Sequence, residues 1–338
     1  MTYKNTKISI IMPVKDTDKY LPDCLDSILE QSISNWELIA VNDDSRDNSW
    51  EILSSYAQKD PRIRVFNNGE PSLLPTLRHG FSKATGSLIH RMDSDDIMPF
   101  NKLELMYNEW IKYGENSVIT GGTKSFSENA QVGDGFKRYD AWLCSVARLN
   151  SHAQEIYREC VIPSNCWMVH RKDFIGVGGF NRDVFPEDYD LCFRFYKGGL
   201  TIVGLDSVLH YWRDRPDRIS RNWECYRDNR FFELKTRYFF ELDRDQTRPL
   251  VLWGAGKNGK NLMKKILIHE APSAWVCDNK AKIGKEIYGI KMDDYSRIKQ
   301  LNNPQIIIAV ASPSGQIEIQ KEMKKLKLNP GRDYWFFS

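Results

Sequence analysis

The chain has 338 residues, of which 48 are Lys or Arg and 45 are Asp or Glu, so its formal net charge is +3. This length predicts two domains, and a hydrophobic share of 41% excludes wholesale disorder. No apolar run approaches the roughly 18–20 residues that span a bilayer, and residues 1–7 lack the apolar core of a signal peptide. The seven cysteines are scattered without a CxxC pair, so neither a disulfide framework nor a zinc site is indicated, and a reducing, cytoplasmic compartment is the simplest prediction.

The first part of the chain alternates predicted strands and helices. Apolar runs predict strands, and helical spacing predicts helices, in the order strand 8–12, helix 20–31, strand 37–41, helix 49–59, strand 63–66, helix 74–84 and strand 87–92. This alternation predicts a doubly wound, mostly parallel α/β sheet, whose ligands bind at the carboxyl ends of the strands. Pro13, Asp43 and Asp93 follow or close such strands.

The second part is less regular at first and then repeats the α/β pattern. Residues 121–150 are rich in Gly, Ser and Asn and are expected to form a loop or lid, and recurrent aromatic residues predict one long helix over 222–242. From 249 to 338 the chain has 15 Lys and Arg against 8 Asp and Glu, whereas the rest has 33 against 37, so the charge balance changes near residue 248. We predict domains at 1–221 and 249–338, joined by a helical and polar linker at 222–248.

Two acidic motifs point to chemistry. In Arg91-Met-Asp93-Ser94-Asp95-Asp96, neighbouring carboxylates repel one another, and Mg²⁺ or Mn²⁺ would relieve that repulsion and could bridge a diphosphate; a solvated acidic turn or a helix cap is the alternative. Glu187-Asp188 precedes a helical pattern, where a carboxylate could serve as general base or only cap the helix. Asp43 could accept a hydrogen bond from a nucleotide base or ribose, or only form a turn.

Residues 7 to about 220 resemble a family 2 glycosyltransferase of the GT-A fold. Five segments carry the resemblance in the family's order: 8–32, 36–47, 77–96, Gly178-Gly179-Phe180 before Glu187-Asp188, and Tyr211-Trp212-Arg213 with Ile219-Ser220. The resemblance implies a nucleotide-sugar-binding domain and a single displacement that inverts the anomeric carbon.

The resemblance also implies roles for single residues. The donor would be bound by Pro13, Val14, Asp43, Arg78, Asp93, Ser94, Arg213 and Arg215, with Asp43 meeting N3–H of uracil. The last two arginines could meet the diphosphate or be only surface residues. Asp95 would hold the metal, with Asp93 and Asp96 assisting. Asp188 would deprotonate the acceptor hydroxyl, and Glu187 would support it.

The chain departs from the family pattern at a few positions. Asn42 stands where Asp is frequent, Asp44 where Gly is frequent, Lys15-Asp16 where Tyr-Asn is frequent, and Arg215 where His is frequent. His210 could be a metal ligand, but a structural histidine is the favoured interpretation.

Near the C-terminus, Gly254, Gly256 and Gly259 follow a predicted strand and open a helix, and Asp278 ends the next strand. This context is typical of a phosphate-binding dinucleotide turn. The region also resembles the small Rossmann-like, nucleotide-binding-like domain of sugar-modifying acyltransferases. Nucleotide binding and a scaffold for homo-oligomerisation or partner docking both remain open.

The sequence therefore favours a metal-dependent inverting glycosyltransferase that uses Mn²⁺ or Mg²⁺. Its partners would be a nucleotide-sugar donor, most simply a UDP-sugar, and a glycan or lipid-linked acceptor of surface polysaccharide synthesis, without nucleic acid. Its predicted place is cytoplasmic, with peripheral contact at the inner face of the plasma membrane left open. A nucleotide-cofactor oxidoreductase and a non-catalytic sugar-nucleotide-binding scaffold, both centred on the C-terminal domain, are the alternatives.

Overall fold

The computed structural model describes residues 6–128, 131–215 and 231–338. The chain divides into two compact units: unit 1 is Met1–His152 with Val161–Arg218, and unit 2 is Ala153–Cys160 with Ile219–Ser338. This division differs from the sequence-based boundaries, because residues 153–160 and the helix within the predicted linker both group with unit 2.

Unit 1 is built on a seven-stranded sheet with the strand order β3-β2-β1-β4-β6-β5-β7. The four strands from β3 to β4 are parallel, β6 is antiparallel to both of its neighbours, and β7 pairs in parallel with β5. The predicted mostly parallel sheet is thus confirmed. The strands are β1 (Ile8–Val14), β2 (Trp36–Asn42), β3 (Ile63–Asn67), β4 (Leu88–Arg91), β5 (Ser117–Phe126), β6 (Trp167–His170) and β7 (Thr201–Arg213).

Helices lie between these strands, and their apolar residues face the sheet. In α1, for example, Leu21, Leu25 and Ile28 are fully buried, as the helical spacing predicts. The central strands are buried along their length, which is expected when helices cover both faces of a parallel sheet. The helices are α1 (Leu21–Leu29), α2 (Ser49–Lys59), α3 (Leu73–Lys83), α4 (Lys102–Tyr113), α5 (Asp134–Leu149), α7 (Arg171–Gly176) and α8 (Glu187–Lys197), and the short α6 (His152–Glu155) begins at the last residue of the first stretch of unit 1 and continues in unit 2.

The expected loop or lid at 121–150 is wrong, because this region forms most of β5 and all of α5. Its glycines reflect tight packing. A Cβ at Gly121 would lie 2.5 Å from Leu209 Cδ1, and a Cβ at Gly122 would lie 2.5 Å from Cys144 Sγ. Both positions therefore need a residue without a side chain, although they lie within a strand.

Unit 2 contains a six-stranded sheet with the order β10-β11-β9-β8-β12-β13, parallel except for the edge strand β10. Its helix α9 begins within the described residues at Phe231, so residues 222–230 of the predicted long helix lie outside the description. Within the described ranges no helix is both long and apolar enough to cross a bilayer. The elements are α9 (Phe231–Leu242), β8 (Leu250–Trp253), α10 (Lys257–Ile266), β9 (Ala274–Cys277), β10 (Glu286–Ile287), β11 (Ile290–Asp294), a 3₁₀ helix (Tyr295–Gln300), β12 (Gln305–Ile308), α11 (Pro313–Lys325) and β13 (Tyr334–Phe336).

The segment Ala153–Cys160 groups with unit 2 and contacts its later elements. The Tyr157 hydroxyl donates to Asp243 Oδ2 at 2.5 Å, and its ring stacks on Phe337 with centroids 5.1 Å apart. Lys235 Nζ, from α9, donates to the Arg158 carbonyl at 2.7 Å. Unit 2 is therefore assembled from two separate stretches of the chain.

Candidate active site

The carboxyl ends of β1, β2 and β4 meet at one edge of the unit 1 sheet. Val14 pairs with Asn42, and Ile11 pairs with Arg91. The Asp43 N–H donates to the Val14 carbonyl at 2.7 Å. The predicted donor residues Pro13, Val14, Asp43 and Asp93 are therefore brought to the same edge, as expected for neighbouring parallel strands.

The loops after β1 and β2 are joined by hydrogen bonds from backbone to carboxylate. The Arg46 N–H donates to Asp16 Oδ1 at 2.7 Å, and the Asp18 N–H donates to Asp47 Oδ2 at 2.8 Å. Asp16 and Asp44 have φ angles of 49° and 60°. Asp, Asn and Gly all tolerate this left-handed region, so the aspartates at positions 16 and 44 are compatible with the backbone found here.

Asp43 is buried and its two carboxylate oxygens have different surroundings. Oδ1 accepts from the Ser72 N–H at 2.9 Å, from the Thr76 hydroxyl at 2.7 Å and from Asn68 Nδ2 at 3.3 Å. Oδ2 lies 3.7 Å from Lys15 Nζ, whose side chain is half exposed. Oδ1 thus holds the loop, while Oδ2 faces the more accessible side.

In the acidic loop after β4, Asp93 and Asp95 are partly exposed and are contacted by cationic or amide donors. Asp93 accepts from Arg91 Nε at 3.0 Å and from Asn165 Nδ2 at 3.2 Å. Asp95 Oδ2 accepts from Arg215 Nε at 2.9 Å. The exposed fractions of the two carboxylate side chains are 24% and 16%.

Asp96 has a different environment, because it is 1% exposed and both of its oxygens accept hydrogen bonds. Oδ2 accepts from His210 Nε2 at 2.9 Å and Asn165 Nδ2 at 2.8 Å, and Oδ1 accepts from the Arg213 N–H at 2.8 Å. His210 Nδ1 lies 3.2 Å from Lys102 Nζ, a geometry in which a neutral imidazole donates to Asp96 and accepts from Lys102. Burial lowers the pKa of Lys102 to about 8. Asp96 and His210 are thus placed as structural residues behind the loop.

The predicted donor-binding arginines contact protein acceptors. Arg213 is 2% exposed; its Nε donates to the Asp95 carbonyl at 2.8 Å, and its other nitrogens pair with Asp23 and Glu128. Arg78 donates from Nε to the Phe180 carbonyl at 2.8 Å and pairs with Asp183. Of these arginines, Arg215 is the one whose guanidinium contacts the Asp95 carboxylate.

The remaining donor residue, Ser94, is buried with its hydroxyl 3.0 Å from the hydroxyl of Thr17. This contact joins the acidic loop to the loop after β1. Ser94 therefore connects two loops at the sheet edge, and its side chain is directed toward the protein interior.

Glu187 and Asp188 occupy the first turn of α8, close to the same loop. Glu187 Oε1 accepts from Arg91 NH1 at 3.1 Å. Asp188 Oδ1 accepts from the Tyr189 N–H at 2.7 Å. Burial and the neighbouring Glu187 charge raise the pKa of Asp188 to about 7, while Arg91 opposes the rise. A carboxylate with this pKa is well suited to accept a proton near neutral pH.

The structure adds Arg91 and Asn165 to this site, both missed as functional residues from the sequence. Arg91 is 6% exposed and Asn165 is fully buried, yet each contacts Asp93. A charged residue within a buried strand is unusual unless it is paired, and this signal could have identified Arg91. Asn165 lies in an irregular stretch before β6, where the sequence carries no comparable signal.

The donor set of the acidic loop fits a hard divalent cation. Among the described residues, no three His, Cys, Asp or Glu side chains form a group that could hold a metal. Mg²⁺ usually binds to one or two carboxylates and completes its coordination with water and substrate phosphates. The partly exposed pair Asp93 and Asp95 meets that requirement, whereas the buried Asp96 is occupied by protein donors.

In unit 2 the predicted glycine turn joins β8 to α10. Gly254 has a φ of +127°, and a Cβ on Gly259 would lie 2.0 Å from the Gly254 carbonyl oxygen. Apart from Gly256 and its two chain neighbours, no described residue has an atom within 4 Å of where a Gly256 Cβ would be. Asp278, after β9, is exposed, and Lys282 Nζ donates to the Ala255 carbonyl at 2.8 Å. The turn is therefore held mainly by contacts to its backbone carbonyl groups.

Comparisons with known proteins show which family and fold the first part of the chain is similar to. Residues 9–176 match the family model of glycosyl transferase family 2. The glycosyltransferase GlyG of Streptococcus pneumoniae is 35% identical over 223 residues, which cover 63% of this chain and 73% of GlyG. A longer streptococcal relative is covered over 32% of its own length.

Two kinds of solved structure share the fold. TarS of S. aureus, in complex with UDP-GlcNAc, superposes with a TM-score of 0.56 at 17% identity, over 77% of this chain and 71% of that chain. The mannosyltransferase PcManGT of Pyrobaculum calidifontis, in complex with GDP-Man and Mn²⁺, superposes with a TM-score of 0.54 at 16% identity, over 78% and 70%. These similarities confirm the predicted GT-A fold.

Proposed function

This chain belongs to glycosyl transferase family 2 and is a glycosyltransferase, and from that premise we propose that it inverts the anomeric carbon while moving a sugar from a UDP-linked donor to a saccharide or lipid-linked acceptor of surface polysaccharide synthesis. The observation that carries the proposal is Asp188, a carboxylate with a pKa of about 7 beside the acidic loop. Nucleotide sugars bound to the structural relatives support the donor class.

The donor would lie along the shared edge of β1, β2 and β4. Asp43 Oδ2 would accept the N3–H of uracil, because Oδ1 is already occupied by three donors. The Asp93 carboxylate, partly exposed at the next strand end, would accept from a ribose hydroxyl. These two carboxylates would fix the nucleoside, and the diphosphate would then point toward Asp95.

Asp95 and Asp93 would hold a divalent cation such as Mn²⁺ or Mg²⁺. When bound, that cation supplies positive charge beside the diphosphate leaving group. Arg215 contacts Asp95 and would add a second positive charge at the same place. The Arg215 charge would favour departure of the diphosphate, since it would stabilise the negative charge that develops there.

Asp188 would activate the acceptor. Its carboxylate takes the proton of an acceptor hydroxyl while that oxygen forms a bond to the anomeric carbon. The bond from the same carbon to the phosphate oxygen breaks, and the nucleoside diphosphate leaves with the electron pair. One displacement inverts the configuration. Glu187, paired with Arg91, would hold the first turn of α8 in place rather than move the proton.

The first test is Asp188→Asn, assayed as UDP release from UDP-GlcNAc, UDP-glucose and UDP-galactose and as donor binding by calorimetry. We expect turnover of the best donor to fall about 10²- to 10⁴-fold, the usual contribution of a general base, with donor affinity within about threefold. Asp134→Asn, which removes an exposed first-turn carboxylate from α5, is the matched control. Turnover that survives Asp188→Asn would exclude Asp188 as the base.

The second test concerns the donor and the metal. Binding of UDP, GDP, dTDP and NAD(H) is measured with and without Mn²⁺, on the wild type and on Asp95→Ala. We expect UDP to bind only with Mn²⁺ and the substitution to abolish that binding. NAD(H) binding without any nucleoside diphosphate binding would contradict the proposal and direct attention to the glycine turn of unit 2.

A further inference from the structure

Arg91 is a buried cation that contacts carboxylates from two distant parts of the chain. Its Nε donates to Asp93 Oδ1 at 3.0 Å, two residues away, and its NH1 donates to Glu187 Oε1 at 3.1 Å, 96 residues away. The side chain is 7% exposed, and that of Glu187 is 12% exposed. One guanidinium thus joins the loop after β4 to the first residue of α8.

These contacts suit a guanidinium better than an ammonium group. A guanidinium presents several N–H donors in a rigid plane, so it can hold two acceptors at once in fixed directions. A lysine carries the same charge at one point on a flexible chain. The contacts on either side extend this connection: Asn165 also donates to Asp93, and Asp188 follows Glu187 directly in α8.

We propose that Arg91 is a positioning residue, which holds the Asp93 carboxylate on the donor side and the first turn of α8 on the acceptor side in a fixed relation. The inference rests on the proposed function, because that function gives Asp93 to the donor and Asp188 to the acceptor. Without Arg91, Asp93, Glu187 and Asp188 lose the cation that they share. Their mutual repulsion then separates the donor from the base.

The effect of such a separation is large, because a misplacement of about 1 Å can lower a rate about 100-fold. We therefore expect Arg91→Met to lower the kcat of UDP release about 100-fold and to raise the donor KM about tenfold, since Asp93 loses a charge-assisted hydrogen bond. Arg91→Lys keeps the charge and should recover part of both parameters. A purely structural role would not give this graded recovery.

Arg171→Met is the matched control, because it removes a partly buried guanidinium near the start of β4, whereas Arg91 lies at the end of that strand. Its Nε donates to the Gly86 carbonyl at 2.7 Å, just before β4 begins. We expect kcat and KM within about threefold of the wild type. Thermal unfolding of all variants of the full chain shows whether they remain folded.

A double-mutant cycle tests the connection through Glu187. If Arg91 acts through that residue, Arg91→Met with Glu187→Gln should be no slower than Arg91→Met alone, since contacting residues are not independent. Strictly additive losses would overturn the inference. If Arg91→Met fails to fold, the kinetics of Arg91→Lys and Glu187→Gln test the inference instead. Wild-type kcat and KM in both variants would overturn the positioning role of Arg91.

The outcome is separable from that of the proposed function. If Asp188→Asn abolishes turnover while the Arg91 variants match the wild type, the positioning role alone is wrong. If Asp188→Asn leaves turnover unchanged, the proposed function fails and the role of Arg91 fails with it.

Discussion

The carboxyl edges of the two sheets differ in the kind of contact that holds them. In unit 1, the edge consists of charged side chains bonded to one another across distant segments, as with Arg91, Asp93 and Glu187. In unit 2, the corresponding turn is held by close backbone approach, with Gly259 against the Gly254 carbonyl, while Asp278 is exposed. Substitutions in unit 1 should therefore change chemistry as well as stability, and those in unit 2 should change stability alone.

The largest expected effect on stability tests the unit 1 edge. Asp96→Ala leaves the donors of His210, Asn165 and the Arg213 backbone without their buried acceptor. We expect the free energy of unfolding to fall by about 3–5 kcal/mol, measured by denaturant titration. Asp134→Ala, at an exposed carboxylate, controls for loss of charge. A loss below about 1 kcal/mol would show that the acidic loop does not depend on Asp96.

The next effect concerns the backbone contact in unit 2. Gly259→Ala places a methyl group 2.0 Å from the Gly254 carbonyl oxygen, so the turn must shift. We expect a loss of about 1–3 kcal/mol, the usual range for overpacking, with UDP binding unchanged. Gly256→Ala is the control, since no described atom crowds that position. Loss of UDP binding in Gly259→Ala would contradict the expectation that substitutions in unit 2 change stability alone.

The pH dependence of turnover sharpens the description of the unit 1 edge. Asp188 has a raised pKa of about 7 and accepts a proton only when ionised, so kcat should be half-maximal near pH 7. It should fall about tenfold for each pH unit below that value, or about 1.4 kcal/mol per unit. Glu187→Gln removes the neighbouring negative charge and should move the midpoint to lower pH. A midpoint that rises in this variant would contradict the assigned electrostatics.

The smallest effect is expected at a surface ion pair of unit 2. Lys265 Nζ lies 2.9 Å from Glu233, which is 74% exposed. Lys265→Met should change the free energy of unfolding by less than about 1 kcal/mol, because solvent screens such pairs, and should leave UDP release unchanged. A larger destabilisation, seen in the same denaturant titration, would mean that this exposed ion pair contributes to the stability of unit 2.

The sequence predicts the regular elements of both sheets where apolar periodicity is strong, as at β1, β2 and α1. It fails at β5 and α5, because Gly121 and Gly122 are typical of loops but here allow Leu209 and Cys144 to approach a strand. The grouping of residues 153–160 with unit 2 depends on contacts with distant residues such as Asp243 and Phe337. No local pattern encodes those contacts.

The candidate site likewise contains contacts that the sequence motifs do not predict. Motif order predicts that Asp93 and Asp188 lie near each other, and strand ends predict that Asp43 lies at the same edge as Asp93. Spacing cannot distinguish Asp95 from Asp96, yet one is partly exposed and the other is bonded to His210. The burial of Arg213, and the bridge that Arg91 forms, arise from tertiary contacts and so are absent from the motif itself.

The two-segment construction of unit 2 has an evolutionary consequence. Tyr157 and Arg158 bond to later residues of unit 2, although they are encoded in the middle of the glycosyltransferase region. A recombination event with a single breakpoint after residue 230 would therefore separate these residues from α9 and the C-terminal strand. Exchange of unit 2 between related enzymes requires two coordinated replacements, so the two units are inherited together more readily than they are shuffled.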